Sequence, residues 1–141
     1  MLAGHLSNRK QLMAVRPTDL SDLSAERAQL LIRAMAAAAH ADGKLDSVEH
    51  GRVRVALATA TAIGEAERAE LEAALTEPQC LESLAREVAD EDTATRFYAV
   101  SVAAIQRGAN TNRAYLDYIA SRLRVPADVV IRLNRRYDLP V

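Results

Sequence analysis

Ala41-Asp42-Gly43-Lys44-Leu45-Asp46-Ser47-Val48-Glu49 separates two long segments with helical apolar periodicity, and its reading decides the fold. Gly43 is placed to end the preceding helix, because glycine adopts the left-handed conformation at low cost. Asp46 and Glu49 have the spacing of a capping box, a cap residue followed by an acid three positions on. Leu45 stands just before the cap, as in a hydrophobic staple. The stretch therefore predicts helix, tight turn, helix. Asp42 is the residue this reading does not explain. It falls at a helix carboxyl end, where unpaired carbonyls already make negative potential, with Lys44 as the nearby positive charge.

Upstream, Ser24 caps a helix predicted to run to Ala41, with Leu31, Met35 and Ala38 at helical spacing. Its alanine run, Ala36 to Ala39, offers a smooth surface for close helix packing. Before it, Leu2, Leu6, Leu12 and Met13 fit a short helix with Arg9 and Lys10 outside, ended by Pro17. Residues 1–22 read as a loosely helical or disordered arm, and 23–141 as one helical domain.

Downstream, Val53, Leu57 and Ala60 give the second helix its apolar stripe. Gly64 then precedes a third, with Glu65, Glu67 and Glu70 near its start and Leu71, Ala74 and Leu75 inward. Leu81, Leu84, Ala85 and Val88 mark a fourth. Asp92 or Thr93 is the expected cap of a fifth, which carries Phe97, Val100, Ala104 and Ile105. Leu116, Ile119, Ala120 and Leu123 form the stripe of a sixth. Pro126 is expected at the first position of a seventh, closed by Val130, Leu133 and Tyr137. No segment alternates with period two, so the fold class is all-α, a compact bundle of about seven short helices. The Ala-rich helix, Asp42-Gly43 break and following helix are echoed by Ala103-Ala104, a break at Gly108 and another helix.

Composition narrows the function. At 141 residues the chain suits one domain that buries roughly two-thirds of its unfolded surface. Its net charge of −1 argues against a nucleic-acid binder. The single cysteine, Cys80, rules out an internal disulfide and a CxxC zinc site. No apolar run reaches the roughly 18 residues of a membrane span, and the start lacks a signal-peptide core, so the expected location is cytoplasmic.

Asp42, Asp46 and Glu49 are hard oxygen donors, and a weak Ca²⁺ or Mg²⁺ site is the chemical alternative to plain helix caps. Gly43, Leu45 and Glu49 match positions six, eight and twelve of an EF-hand loop, but positions one and three would be Ala38 and His40, so that loop is not formed. His40 and His50 flank the turn without an HExxH pattern and are expected as exposed helix-end residues. Ser101 lacks nucleophile-elbow glycines and reads as a packing residue. Cys80 opens a helix and is expected buried or half-buried. The tyrosines are expected in seams between helices. Arg132, Arg135 and Arg136, with Arg122 and Arg124 nearby, make the strongest charge asymmetry. Its bland reading is a solvated helix face; its functional one is a surface for an anionic partner, protein or phospholipid.

Leu30-Leu31-Ile32-Arg33-Ala34-Met35 leading to Ala39-His40-Ala41-Asp42-Gly43-Lys44-Leu45-Asp46 and Glu49 resembles the TerB-like family, and within it the YebE-type proteins of unknown function. Phe97 to Ile105 and Arg113 to Ala120 carry the second part of that resemblance, which spans roughly residues 24–137. It implies an all-helical fold, an association with tellurite resistance and stress response, and a metal-linked role through the acidic positions. YebE-type members often carry a membrane-associated N-terminal region. The chain departs from the family's second acidic pattern, with Gln106, Gly108 and Asn112 where acids are usual. The resemblance and the residues together lead to the expectation of a non-enzymatic binding or scaffold module, stress or envelope related. A metal-dependent sensor and a peripheral membrane module are the alternatives.

Overall fold

A computed structural model describes residues 18–42, 47–105 and 110–136, with the side chains of residues 42, 47 and 110–112 left aside. Its described residues form seven α-helices and no strand. These are α1 (Ala25–Ala39), α2 (Ser47–Thr59), α3 (Glu65–Ala74), α4 (Leu81–Arg86), α5 (Glu91–Ala104), α6 (Asn110–Arg122) and α7 (Ala127–Arg136). A 3-10 turn, His40–Asp42, tightens the end of α1. The expected all-α bundle is what the chain forms.

Two helices are central because they are apolar nearly all round. Ten of the fifteen residues of α1 are buried, six of them alanines beside Leu30, Leu31, Ile32 and Met35. Ten of the fourteen residues of α5 are buried, including Phe97, Tyr98, Val100 and Val102. These two pack on one another more extensively than any other pair. Methyl-sized side chains allow two helix backbones to approach closely.

Helices α2, α4, α6 and α7 pack on this pair, and α3 adds Leu71 and Leu75 to the same core. In α7, Val129, Leu133 and Asn134 turn inward, and Asn134 accepts a 2.7 Å hydrogen bond from the buried Tyr98 hydroxyl. On α3, Leu71 and the following Leu75 are buried. Ser101 is fully buried and its hydroxyl donates to the Phe97 carbonyl at 2.7 Å, so it packs as expected.

Helix ends are closed by side chains. Ser24 caps α1 as the sequence predicts, accepting from the Arg27 N–H. The cap of α5 is Asp90, two positions before the expected Asp92. Asp90 has extended backbone, and its carboxylate accepts the Thr93 N–H at 2.7 Å. Pro126 likewise lies one position outside α7, its carbonyl accepting the Val130 N–H at 3.1 Å. The Arg68 guanidinium donates to the carbonyls of Leu57, Ala60 and Ile63, at 2.5, 2.8 and 3.5 Å, and so closes the turn between α2 and α3. Thr59 clasps the entering chain: its hydroxyl accepts the Leu20 N–H at 2.8 Å, and Leu20 is fully buried.

Helix α6 ends in a Schellman turn. The Val125 N–H bonds the Ala120 carbonyl and the Arg124 N–H bonds that of Ser121. The turn requires a left-handed residue, and Arg124 supplies it at φ 56°. A side chain in that region is strained by about 1–2 kcal/mol. Arg124→Gly is expected to stabilise the fold by about 0.5–1 kcal/mol, after the added chain entropy of glycine is subtracted. Urea unfolding of the two proteins measures it.

A second expectation concerns acid. The Thr93 backbone N–H, above all, holds the Asp90 carboxyl below the usual carboxylate range; its burial opposes this, and the Thr93 hydroxyl and Arg27 add to the lowering. A depressed folded-state pKa means that its stabilisation is present above the unfolded value near 3.9 and is lost as pH falls through the lower folded value. Asp90→Asn keeps a capping oxygen but cannot titrate. Its unfolding free energy should fall less steeply than the wild type's below about pH 4.

Candidate functional site

The fold pairs two helix breaks. α1 and α2, of 15 and 13 residues, are echoed by α5 and α6, of 14 and 13. Each second helix leans on the carboxyl end of the other pair's first helix. The 3-10 turn His40–Asp42 packs against α6. In return Arg52 of α2 points its guanidinium at the Ala104 and Ile105 carbonyls, at 3.4 and 3.5 Å. A cation there complements the negative end of the α5 dipole. The duplication faintly visible in the sequence is thus a repeat in space.

Of the three candidate oxygen donors, Glu49 has a described side chain; Asp46 and the Asp42 side chain lie outside the described residues. Glu49 is 2 % exposed, the one Asp, Glu, Lys or Arg that is buried among the described residues, and it makes interactions. It sits in the first turn of α2, where the helix dipole favours a carboxylate. Nothing in its sequence pattern distinguished a buried Glu49 from a surface capping acid. Among the described residues no three His, Cys, Asp or Glu side chains gather as metal ligands. His40 and His50 are half-buried rather than exposed. His40 Nε2 lies 3.4 Å from the Leu75 carbonyl oxygen, because α3 closes over the end of α1.

Cys80 is exposed, which corrects the expectation of a structural cysteine. It occupies the cap position of the short α4, whose inward residues are Leu84 and Ala85. The Ser83 side chain, first, and its backbone hold the thiol below its ordinary pKa. Tyrosines divide between seams and surface. Tyr98 bridges α5 and α7 in the core, and burial pushes its phenol up. The Tyr115 hydroxyl is buried with no hydrogen-bond partner, and burial pushes it up further, which keeps it a neutral packing group. Tyr118 is exposed and donates to Glu82 at 3.1 Å.

The arginine cluster resolves into two parts. Arg122 is committed to Glu82, with its Nη2 at 2.8 Å. Arg132, Arg135 and Arg136 are exposed on α7; Arg135 stands opposite Val129 and Leu133, Arg132 and Arg136 lie toward the edges of that buried side, and the exposed Asp128 falls between Arg132 and Arg135. Ile131, 37 % exposed, lies among them. A groove of about 830 Å³ opens beside the start of α7, with Ala85, Val88 and Leu123 on its floor and Asp90, Arg122 and Arg124 at its edge. Two of those edge charges are already neutralised, Asp90 by Arg27 at 2.9 Å and Arg122 by Glu82.

The family model described as "Protein of unknown function (DUF533)" matches residues 4–137. No curated protein and no solved structure matches the chain. No helix among the described residues is long and apolar enough to cross a membrane.

The buried carboxylate gives a direct test of what the turn needs. Glu49→Ala removes a buried carboxyl group and the interactions it makes, and should cost about 1–3 kcal/mol in urea unfolding. Glu49→Gln keeps the size and half of the acceptor capacity and should cost less.

Proposed function

The chain belongs to the DUF533 family of proteins of unknown function, whose model spans nearly all of it, and from that premise we propose that it is a non-catalytic helical binding module of the TerB-like type. It makes protein contacts through the arginine face of α7. The single observation that carries this reading is the division of that helix: Val129, Leu133 and Asn134 are buried, while Arg132, Arg135 and Arg136 are exposed, with Arg135 on the side away from the core. A guanidinium cluster on a rigid helix suits planar, bidentate recognition of carboxylates. Exposed cations of this kind set partner choice and encounter rate more than affinity, so the partner it suits is an acidic protein surface met reversibly. The resemblance to TerB-like and YebE-type proteins supports a stress or envelope-related setting, and in this reading Asp42, Asp46 and Glu49 are oxygen donors to a weakly held Ca²⁺ or Mg²⁺.

Retention on immobilised poly-glutamate at low salt tests the arginine face. Arg132→Glu/Arg135→Glu should weaken binding at least about tenfold, since each exposed charge contact contributes up to about 1 kcal/mol and reversal also adds repulsion. Equal retention would remove the reading. Calorimetric titration with Ca²⁺ and Mg²⁺ tests the cation part. Heat that disappears in Asp42→Asn supports it, and no heat at millimolar ion withdraws it.

A further inference from the structure

Helix α3 carries the counterpart of the arginine face. Its inward side is Leu71, Leu75 and Arg68, the last spent on backbone carbonyls. Its outward side sets Ala66, Ala69 and Ala73 in line at helical spacing, all exposed. Glu65 and Glu70 flank that line on either side, and Glu77 follows it; all three are exposed. The other two glutamates of α3 are occupied, Glu67 by Gln29 at 3.0 Å and Glu72 by Arg54 at 3.4 Å. Glu65, Glu70, Arg132 and Arg135 have no ion pair with another described residue.

We propose that the arginine face of α7 and the glutamate–alanine face of α3 are the two halves of a head-to-tail contact between copies of this chain. The proposal rests on the arginine face being the partner surface, and it names the partner. The two helices match in length, ten residues each and so about 15 Å. The alanine line forms a shallow apolar track, and Ile131 is the aliphatic side chain that rises from the arginine face. Arg132 and Arg135 then meet Glu65 and Glu70 around it, an apolar centre with a charged rim.

Symmetry follows from the charges. A two-fold contact through either face alone would set arginines on arginines or glutamates on glutamates, which repel. α3 and α7 are not among the strongly packed helix pairs, so α7 of one copy on α3 of the next leaves the first copy's α3 free, a heterologous arrangement that generates rings or open chains. Both faces are usable at once. α3 is tied to the α1–α2 side through Gln29 and Arg54, and α7 to α5 through Asn134 and Tyr98. The net charge of −1 leaves little overall repulsion between copies. Two ten-residue helix faces are small beside the roughly 800 Å² per partner of a stable complex, so the association is weak and reversible.

Sedimentation velocity of the full chain over a concentration series decides the matter. At low salt the weight-average sedimentation coefficient should rise with concentration without stopping at a dimer, and it should return to the monomer value near about 0.5 M salt, where screening is nearly complete. Arg132→Glu/Arg135→Glu should sediment as a monomer, and so should Glu65→Lys/Glu70→Lys. An equimolar mixture of the two charge-reversed proteins should associate again, because one then carries two acidic faces and the other two basic ones. All four side chains are exposed, and circular dichroism confirms that each variant folds. A wild type that stays monomeric at millimolar concentration overturns the proposal, as does a salt-insensitive dimer or a mixture that fails to associate. If the wild type is monomeric yet still binds poly-glutamate, the arginine face stands and its partner is another acidic protein. If both fail, the arginine face itself is withdrawn.

Discussion

The contact between α1 and α5 is the constraint on which the other helices depend. It is built from alanines on one helix and from alanine, valine and one phenylalanine–tyrosine pair on the other. Small side chains contribute little area each, about 25 cal/mol per Å² buried, but they bring the backbones close and make many dispersion contacts. With only one Phe and four Tyr in the chain, no large aromatic centre substitutes for that closeness. A bulky residue in the Ala36–Ala39 run would separate the pair and with it every helix that leans on them.

A bundle of short helices has many ends, and each end leaves backbone groups to be satisfied. Arginines do much of this here. Arg68 closes the α2–α3 turn on three carbonyls, and Arg52 reaches the carboxyl end of α5. Both also cross between elements, so a local need at a helix end becomes a tertiary tie. The Arg52 contact also joins the two halves of the internal repeat.

What is left on the surface after those internal uses is unevenly distributed. Arg68, Arg52 and Arg122 are consumed inside or against neighbours, whereas Arg132 and Arg135 are not. Glu67 and Glu72 are consumed, whereas Glu65 and Glu70 are not. The near-zero net charge of the chain therefore conceals two faces of opposite sign on different helices. Buried Glu49 is a separate case, a carboxyl group within the core in the first turn of α2, where burial of a polar group without partners is costly.

Among the described residues, the helical class, the seven helices and most of their boundaries are legible in the sequence by itself. Those follow from local physics: apolar spacing of three and four, Ser24 as a cap, glycine and proline as punctuation. The sequence also located the arginine cluster, since Arg135 falls opposite Val129 and Leu133 on a helix that carries Arg132 and Arg136 as well. Only the tertiary structure decided which polar groups are used internally. Asp90 capped α5 in place of Asp92 because its own backbone is extended, Cys80 turned out to solvent, His40 was half-covered by α3, and Glu49 went inside. None of these is set by spacing along one helix. The Asp90 cap is a local choice of backbone; the exposure of Cys80, His40 and Glu49 depends on what elements distant in sequence cover or leave to water.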